Sequence, residues 1–163
     1  MLTDACMTAA SYIIKRTNDF NLCTDFEHRI FLTVKRLQKL LYFSNIEYMK
    51  RFNGRQMFED TFHAWPSGPV IPAVYHKYLA DKQVAEPKLI IESDYGEPTQ
   101  DMKNALDFIL KHTWDLDTLD LIEMSKVEDG PWCRFYNDSD CKHQTIIPHC
   151  EIYSYYRTHS IFG

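Results

Sequence analysis

Between Thr33 and Gly54, apolar residues recur at steps of three and four, which is the period of an amphipathic helix. The inward stripe of this predicted helix, over residues 34–52, consists of Leu37, Leu40, Leu41, Ser44 and Tyr48. Thr33 can cap its N-terminus, and Asn53-Gly54 can end it because glycine adopts the left-handed cap conformation without strain. The remaining positions predict a solvated basic face that contains Lys35, Arg36, Lys39 and Lys50.

Similar reasoning predicts further helices over 4–17, 72–80 and 100–113, from Asp115 or Asp117 to Gly130-Pro131, and from Pro148 onward. Short strands are possible over 58–65 and 88–92, segment 25–32 is ambiguous between a strand and a helix start, and loops are expected over 18–24 and 133–145. No repeat or linker divides the chain. The predicted fold class is therefore mostly α: a single compact helical domain over residues 1–163, with about five to six helices and at most a small two-stranded β element.

Charge is unevenly distributed along the chain. Residues 1–60 hold nine Lys and Arg against seven Asp and Glu, whereas residues 92–140 hold four against thirteen. An acidic surface disfavours nucleic acid as a direct partner and would steer a basic protein toward it, although it can also serve only solubility. The candidate acidic steering face consists of Asp117, Asp120 and Glu123.

Catalytic and metal-binding patterns are weak in this chain. Cys133, Cys141, His143, His149 and Cys150 lie close in sequence, but their spacing lacks the close ligand pair that is typical of zinc sites. Neither a nucleophile elbow nor a phosphate-binding loop is present. We therefore expect no enzymatic activity, no catalytic residue, no metal and no cofactor.

The location expected from the sequence is the cytoplasm. The chain contains no apolar run long enough to cross a membrane and no visible secretion signal. An odd number of cysteines at irregular spacing indicates reduced thiols. No membrane partner is expected.

Four segments occur in an order that resembles one known family. They are LQKLLYF (37–43), AWPSGPVIPAVYHKY (64–78), LIEMSKVEDGPW (121–132) and IPHCEIYSYY (147–156). Together they resemble the Panacea domain, also called the SocA-like or phage-associated GepA-like domain, over essentially the whole chain. Two departures stand out: Lys126 occupies a position where the family has histidine, which argues against proton transfer or metal binding there, and Pro66 replaces a basic or polar residue and stiffens the approach to the turn.

The resemblance implies a mostly helical antitoxin from a bacterial or phage toxin–antitoxin module. Its partner would be a cognate toxin protein, expected from a neighbouring gene, which it would neutralise by direct binding. One branch of the family implies an alternative, a proteolytic adaptor that delivers the toxin to a protease. A DNA-binding regulator of its own operon is a further alternative, for which no helix-turn-helix with a basic recognition helix is evident.

The shared motifs have two compatible interpretations. Trp65 and Val70 can pack in the core while Gly68-Pro69 turns the chain, or some of the rings can line a groove for the toxin. The candidate scaffold or toxin-binding residues are Leu37, Lys39, Leu40, Tyr42, Trp65, Gly68, Pro69, Val70, Pro72, Tyr75, Pro131 and Trp132.

Overall fold

The fold is mostly helical, as predicted. A computed structural model describes residues 3–79, 95–137, 139 and 143–163. Within these ranges lie seven α-helices: α1 (Asp4–Leu22), α2 (Val34–Arg51), α3 (Pro72–Tyr78), α4 (Gln100–Thr113), α5 (Thr118–Ser125), α6 (Pro131–Phe135) and α7 (His149–Tyr156). The same ranges contain a short 3-10 helix (Phe26–His28) and the strands β1 (Phe62–Trp65), β2 (Gly68–Val70) and β3 (Ile146–Ile147).

Short polar side chains begin the longer helices. The hydroxyl oxygens of Thr3, Thr33 and Thr99 accept hydrogen bonds from the backbone N–H groups three residues later, at the starts of α1, α2 and α4. Helix α5 begins with a reciprocal capping box between Asp117 and Asp120. Each cap satisfies a backbone donor that has no partner inside its helix.

Helix α2 forms the centre of the fold. It contacts α1, α4, α5, α7, β2 and α3, and 14 of its 18 residues are buried. The predicted stripe lies inward, but most of the remaining helix surface is covered as well. The neighbouring elements supply the rest of the core with residues that include Ile13, Phe62, Val74, Leu106, Ile109, Leu121 and Ile152.

The three strands form one small antiparallel sheet in the order β2-β1-β3. Strand β1 pairs Trp65 with Gly68 and His63 with Val70 on β2, and it pairs Phe62 with Ile147 on β3. The chain turns at Pro66 and Ser67, just before the predicted turn at Gly68-Pro69, and these two residues belong to β2. Pro72 then begins α3 two residues after β2 ends.

A chain of buried polar contacts holds α7 against α2. The Asn45 amide nitrogen lies 3.1 Å from His149 Nδ1, and His149 Nε2 lies 2.9 Å from the backbone carbonyl oxygen of Asp60. The Asn45 amide nitrogen can only donate, so Nδ1 accepts, and the Asp60 carbonyl oxygen can only accept, so Nε2 donates. The imidazole is therefore neutral and carries its proton on Nε2. Burial lowers the pKa of His149, which agrees with a neutral ring.

Several element boundaries differ from the sequence predictions. Helix α1 continues to Leu22, into segment 18–24, which was predicted as a loop; on this added length the Phe20 ring stacks on Trp114. The predicted helix does not reach Gly130-Pro131, because α5 ends at Ser125; Pro131 instead begins the short helix α6, which extends to Phe135 in the predicted loop 133–145. Segment 25–32 contains a 3-10 helix and no strand, β3 adds a third strand, and the predicted strand 88–92 lies outside the described residues.

Candidate interaction surface

Lys39 lies in the interior, beneath the β1–β2 hairpin. Its side chain is fully buried, and Nζ donates a hydrogen bond to the backbone carbonyl oxygen of Pro69 at 2.7 Å. Burial lowers the pKa of Lys39 to about 7, with smaller contributions from the nearby charges of Lys35 and Lys126. The prediction that Lys39 belongs to a solvated basic face is therefore wrong.

Arg36 is the second residue for which that prediction is wrong. Its side chain is buried, and its guanidinium donates to the carbonyl oxygens of Leu116 and Thr113 at 2.8 Å and 2.9 Å. Thr113 is the last residue of α4, where a helix leaves carbonyl acceptors without an intrahelical partner, and Leu116 lies on the connection to α5. Lys35 and Lys50 are exposed, as predicted.

Gln38 joins α2 to the start of α3. Its amide nitrogen donates to the carbonyl oxygen of Ile71 at 3.0 Å, and its amide oxygen accepts from the N–H of Ile71 at 2.9 Å. One neutral side chain thus satisfies both backbone groups of a buried residue. This double contact fixes where the hairpin ends and α3 begins.

Gly68 allows the hairpin to approach α2 and α5 closely. Its φ of +103° lies in the region that favours glycine. A Cβ at this position would lie 2.6 Å from Ser125 Oγ and 2.9 Å from Lys39 Cε. The sequence predicted a turn here, whereas Gly68 begins β2, directly after the turn, and packs against two other elements.

The two motif tryptophans are linked through the hairpin. Trp132 Nε1 donates to the carbonyl oxygen of Trp65 at 2.8 Å, and Trp65 Nε1 donates to the carbonyl oxygen of His143 at 3.0 Å. The Tyr75 ring lies edge-on to Trp65, with centroids 5.0 Å apart. Lys126 Nζ lies 4.8 Å from the centroid of the Trp132 ring, so this cation contacts an aromatic face.

The candidate acidic face lies on the first turns of α5. Asp117, Asp120 and Glu123 are all exposed. Asp117 Oδ1 accepts from the N–H of Asp120 at 2.8 Å, and Asp120 Oδ2 accepts from the N–H of Asp117 at 3.0 Å. These two carboxylates therefore combine a structural role at the helix terminus with an exposed negative charge.

A groove of about 640 Å³ lies between the α1–α2 connection and the α4–α5 connection. At its base, the rings of Phe20 and Trp114 stack with centroids 4.4 Å apart. We call this feature the α1/α4 groove, and it is lined by Phe20, Thr24, Glu27, His28, Arg29, Ile30, Phe31, Arg36, Trp114, Asp115, Leu116, Asp117 and Thr118.

The cysteines do not form a metal cluster in the part of the chain that the structure describes. Cys6 is buried, whereas Cys23, Cys133 and Cys150 are exposed free thiols. Within the described ranges, no three His, Cys, Asp or Glu side chains are grouped so that they could hold a metal ion. Cys141 lies outside these ranges.

No helix in the described ranges is both long enough and apolar enough to span a membrane.

The comparison with protein families assigns the chain. The family described as antitoxin SocA-like, Panacea domain, matches residues 37–133, which is more than half of the 163 residues. The chain belongs to this family. The family inferred from the sequence is therefore confirmed; the match covers the first three of the four segments, and the segment 147–156 lies beyond it. Comparisons with curated proteins and with solved structures found no match.

The shared Panacea residues mainly build the interior. Leu37, Lys39, Leu40, Tyr42, Gly68, Pro69, Val70, Pro131 and Trp132 are buried, and Trp65, Pro72 and Tyr75 are half-buried. The structure brings Lys39, Gly68 and Pro69 into contact, and a separate contact joins Trp65 to Trp132. Most of these side chains are inaccessible to a partner, so the Panacea motif supports the scaffold interpretation at these positions.

Sequence reasoning missed the features that complete this Panacea scaffold. Arg36 and Gln38 are bonded to backbone carbonyls of residues that lie 33 or more positions away, and no local pattern indicates such acceptors. It also missed the α1/α4 groove. In the sequence, the groove was indicated only by three large apolar residues, Leu22, Phe26 and Phe31, which do not follow a helical period.

Proposed function

We propose that this Panacea protein is the antitoxin of a bacterial or phage toxin–antitoxin module. In this role it neutralises a cognate toxin by binding the toxin directly, without enzymatic turnover and without a cofactor, in the cytoplasm. The observation that carries the proposal is the match of residues 37–133 to a family described as antitoxin SocA-like. We expect a neighbouring gene to encode the toxin.

The distribution of side chains supports action by contact. Motif side chains that could carry chemistry, such as Lys39, Gln38 and Trp132, are buried and bonded to backbone atoms of neighbouring elements. The surface instead offers exposed aromatic and aliphatic side chains beside acidic ones. Such a combination is suited to recognition of another protein.

Co-expression tests the proposal directly. The product of the neighbouring gene is induced alone, with the Panacea protein, or with the variant Phe62→Asp, which places a charge in the core and serves as an unfolded control. We expect growth arrest with the toxin alone or with the control variant, and normal growth with the parent protein. A stable complex should co-purify. Continued arrest in the presence of the parent protein would contradict the proposal.

Two variations of the experiment separate binding from other mechanisms. Toxin half-life is measured with and without the cellular proteases; a toxin that disappears faster only when a protease is present would indicate a proteolytic adaptor. A gel shift on the promoter of the operon tests for a DNA-binding regulator. Direct neutralisation predicts that the toxin half-life is unchanged and that the toxin remains bound and inactive. It also predicts that the protein does not shift the promoter DNA in the gel at physiological salt.

A further inference from the structure

The α1/α4 groove has the composition of a protein-docking site. We propose that it binds a segment of the cognate toxin that presents large apolar side chains flanked by Lys or Arg. This inference rests on the proposed function and adds to it a surface and a partner chemistry. It depends on four observations: exposed apolar side chains, rigid walls, acidic rim charges and the position of the groove relative to the family match.

Exposed apolar side chains concentrate in and beside this groove. Phe31 lines it and is 58% exposed, while Leu22, at the end of α1, and Phe26, on the α1–α2 connection, lie within two residues of lining residues and are 81% and 72% exposed. Leu119, which follows the lining residue Thr118, is 70% exposed. The large apolar residues exposed elsewhere in the described ranges, Tyr95, Val127 and Ile146, are at most 46% exposed. Such a concentration of apolar surface is typical of a site that a partner covers.

Hydrogen bonds hold both walls of the groove. On one side, the Asn21 side chain donates to the carbonyl oxygen of Ile30 at 2.8 Å and accepts from its N–H at 2.7 Å. On the other side, buried Arg36 holds the carbonyl oxygens of Thr113 and Leu116. Little ordering of these walls is needed when a partner binds, so little affinity is lost to that ordering.

The charges at the rim select a basic partner. Glu27, Asp115 and Asp117 line the groove and are exposed. Two arginines also line it, but Arg36 is buried against two carbonyls, and the guanidinium of Arg29 lies 5.7 Å from the centroid of the Phe26 ring. Exposed carboxylates thus outnumber the exposed guanidinium, and Lys or Arg on the partner would complement them.

The same charges disfavour a second copy of this chain as the occupant. In a two-fold symmetric contact, the same patch lies on both subunits. Two patches with the same excess of exposed carboxylates, which include Asp115 and Asp117, would then face each other, and like charges at an interface are unfavourable. A partner of opposite charge does not meet this repulsion.

One wall of the groove lies outside the sequence shared by the family. Residues 20–31 precede Leu37, where the family match begins, whereas residues 114–118 fall inside it. The shared part therefore supplies one fixed wall, and the unshared part supplies Phe31 and the neighbouring exposed rings. Because the family sequence does not determine the side chains of residues 20–31, we expect the contacts that are specific to one toxin to lie on this wall.

The test uses two labelled peptides. The first is a short helical peptide with Leu at every third or fourth position and Lys at the others, and the second replaces each Lys with Glu. Binding is measured by fluorescence anisotropy to the parent protein, to Phe31→Ser, to Leu119→Ser and to Ile146→Ser. Ile146 lies on β3, does not line the groove and is 46% exposed, so it is the matched control. Circular dichroism verifies folding, which should persist because all three side chains are exposed.

We expect the Lys peptide to bind the parent protein and Ile146→Ser equally, and the two groove variants at least about tenfold more weakly. The Glu peptide should bind the parent at least about tenfold more weakly than the Lys peptide does. Failure of the Lys peptide to bind the parent, or equal binding to the groove variants, would overturn the proposal. A parent dimer that Phe31→Ser converts to a monomer would also overturn it, by identifying a second copy as the occupant.

A second arm uses the toxin itself in the co-expression assay. We expect the parent and Ile146→Ser to restore growth and Phe31→Ser combined with Leu119→Ser to fail. If all variants neutralise equally, the groove is not the toxin-binding surface, although the proposed function stands. If the parent itself fails, the proposed function is overturned while the peptide arm still decides whether the groove binds apolar, basic segments.

Discussion

Lys39 and Gly68 lie against each other where the hairpin packs on α2. The lysine Nζ reaches the carbonyl oxygen of Pro69, and a Cβ on Gly68 would lie 3.2 Å from the same nitrogen. The Lys39 amine therefore fits only beside a residue without a side chain. The carbonyl oxygen of Pro69, in turn, needs a hydrogen-bond donor on the side that faces α2. The two residues depend on each other, because the Pro69 carbonyl gives the buried lysine an acceptor and Gly68 leaves room for the lysine side chain.

The buried amine of Lys39 should make stability depend on pH. Its pKa is about 7 in the folded protein and near 10.5 when exposed, so between these values the unfolded chain binds a proton that the folded protein releases. Unfolding free energy must then rise with pH, by about 1–2 kcal/mol between about pH 7 and 8.5. Urea unfolding at several pH values measures this rise. The upper limit of the range lies below 9.0, the pKa of the Cys6 thiol in the unfolded chain, so ionisation of this thiol offsets only a small part of the rise.

The matched variant is Lys39→Met, which fills a similar volume without a titrating group. We expect its unfolding free energy to be flat over the same pH range. If the variant and the parent show the same rise, the pH dependence comes from another group, and the assigned cause of the effect is wrong.

The Gly68→Ala substitution should destabilise the protein by about 1–3 kcal/mol. The positive φ disfavours any side chain, and the added Cβ would also lie 2.6 Å from Ser125 Oγ. Gly96→Ala is the control, because Gly96 has a similar φ of +87° but no atom within 4 Å of its Cβ position. Thermal unfolding of both variants separates the close approach from the backbone effect. Equal losses would contradict the close-approach explanation.

At the scale of elements, the sequence predicts where helices begin and end better than it predicts which other elements pack against them. Thr33 and Thr99 cap helices whose apolar period is regular, and both helices occur close to their predicted bounds. Local sequence does not show that α2 is enclosed, because the acceptors of Arg36 and Lys39 lie on α4, the α4–α5 connection and β2. A helix that is covered on most sides buries long basic side chains wherever a distant carbonyl can accept from them.

Gln38 offers a test of how α2 positions its neighbours. Replacement by Leu, which has a similar volume, removes both hydrogen bonds and leaves the N–H of buried Ile71 without its partner, whereas the Ile71 C=O still accepts from the Tyr75 N–H. We expect a loss of about 1–3 kcal/mol in unfolding free energy, measured by urea unfolding. Gln100→Leu, on the exposed start of α4, is the control and should change stability little. A Gln38→Leu protein as stable as the parent would show that these two hydrogen bonds contribute nothing net.

At the scale of the whole molecule, the interior holds the fold together and the surface is available for binding. Buried family motifs hold the hairpin, α2 and the two tryptophans together, while the acidic face and the α1/α4 groove remain accessible. Sequence charge alone located the acidic residues of α5. It could not show that Phe31 and Trp114 line the same groove, because about half of the chain separates them.

Charge steering by the acidic face can be tested without loss of the α5 cap. The variant Asp117→Asn/Asp120→Asn/Glu123→Gln removes three negative charges and keeps oxygen acceptors for the two N–H groups of the capping box. We expect slower association with the toxin at low salt, a weaker dependence of the rate on salt, and a nearly unchanged rate at high salt. Stopped-flow fluorescence measures these rates. The control variant Glu59→Gln/Asp101→Asn/Glu151→Gln removes the same charge from other surfaces. If both variants slow association equally, net charge alone steers the toxin and the α5 face has no special role.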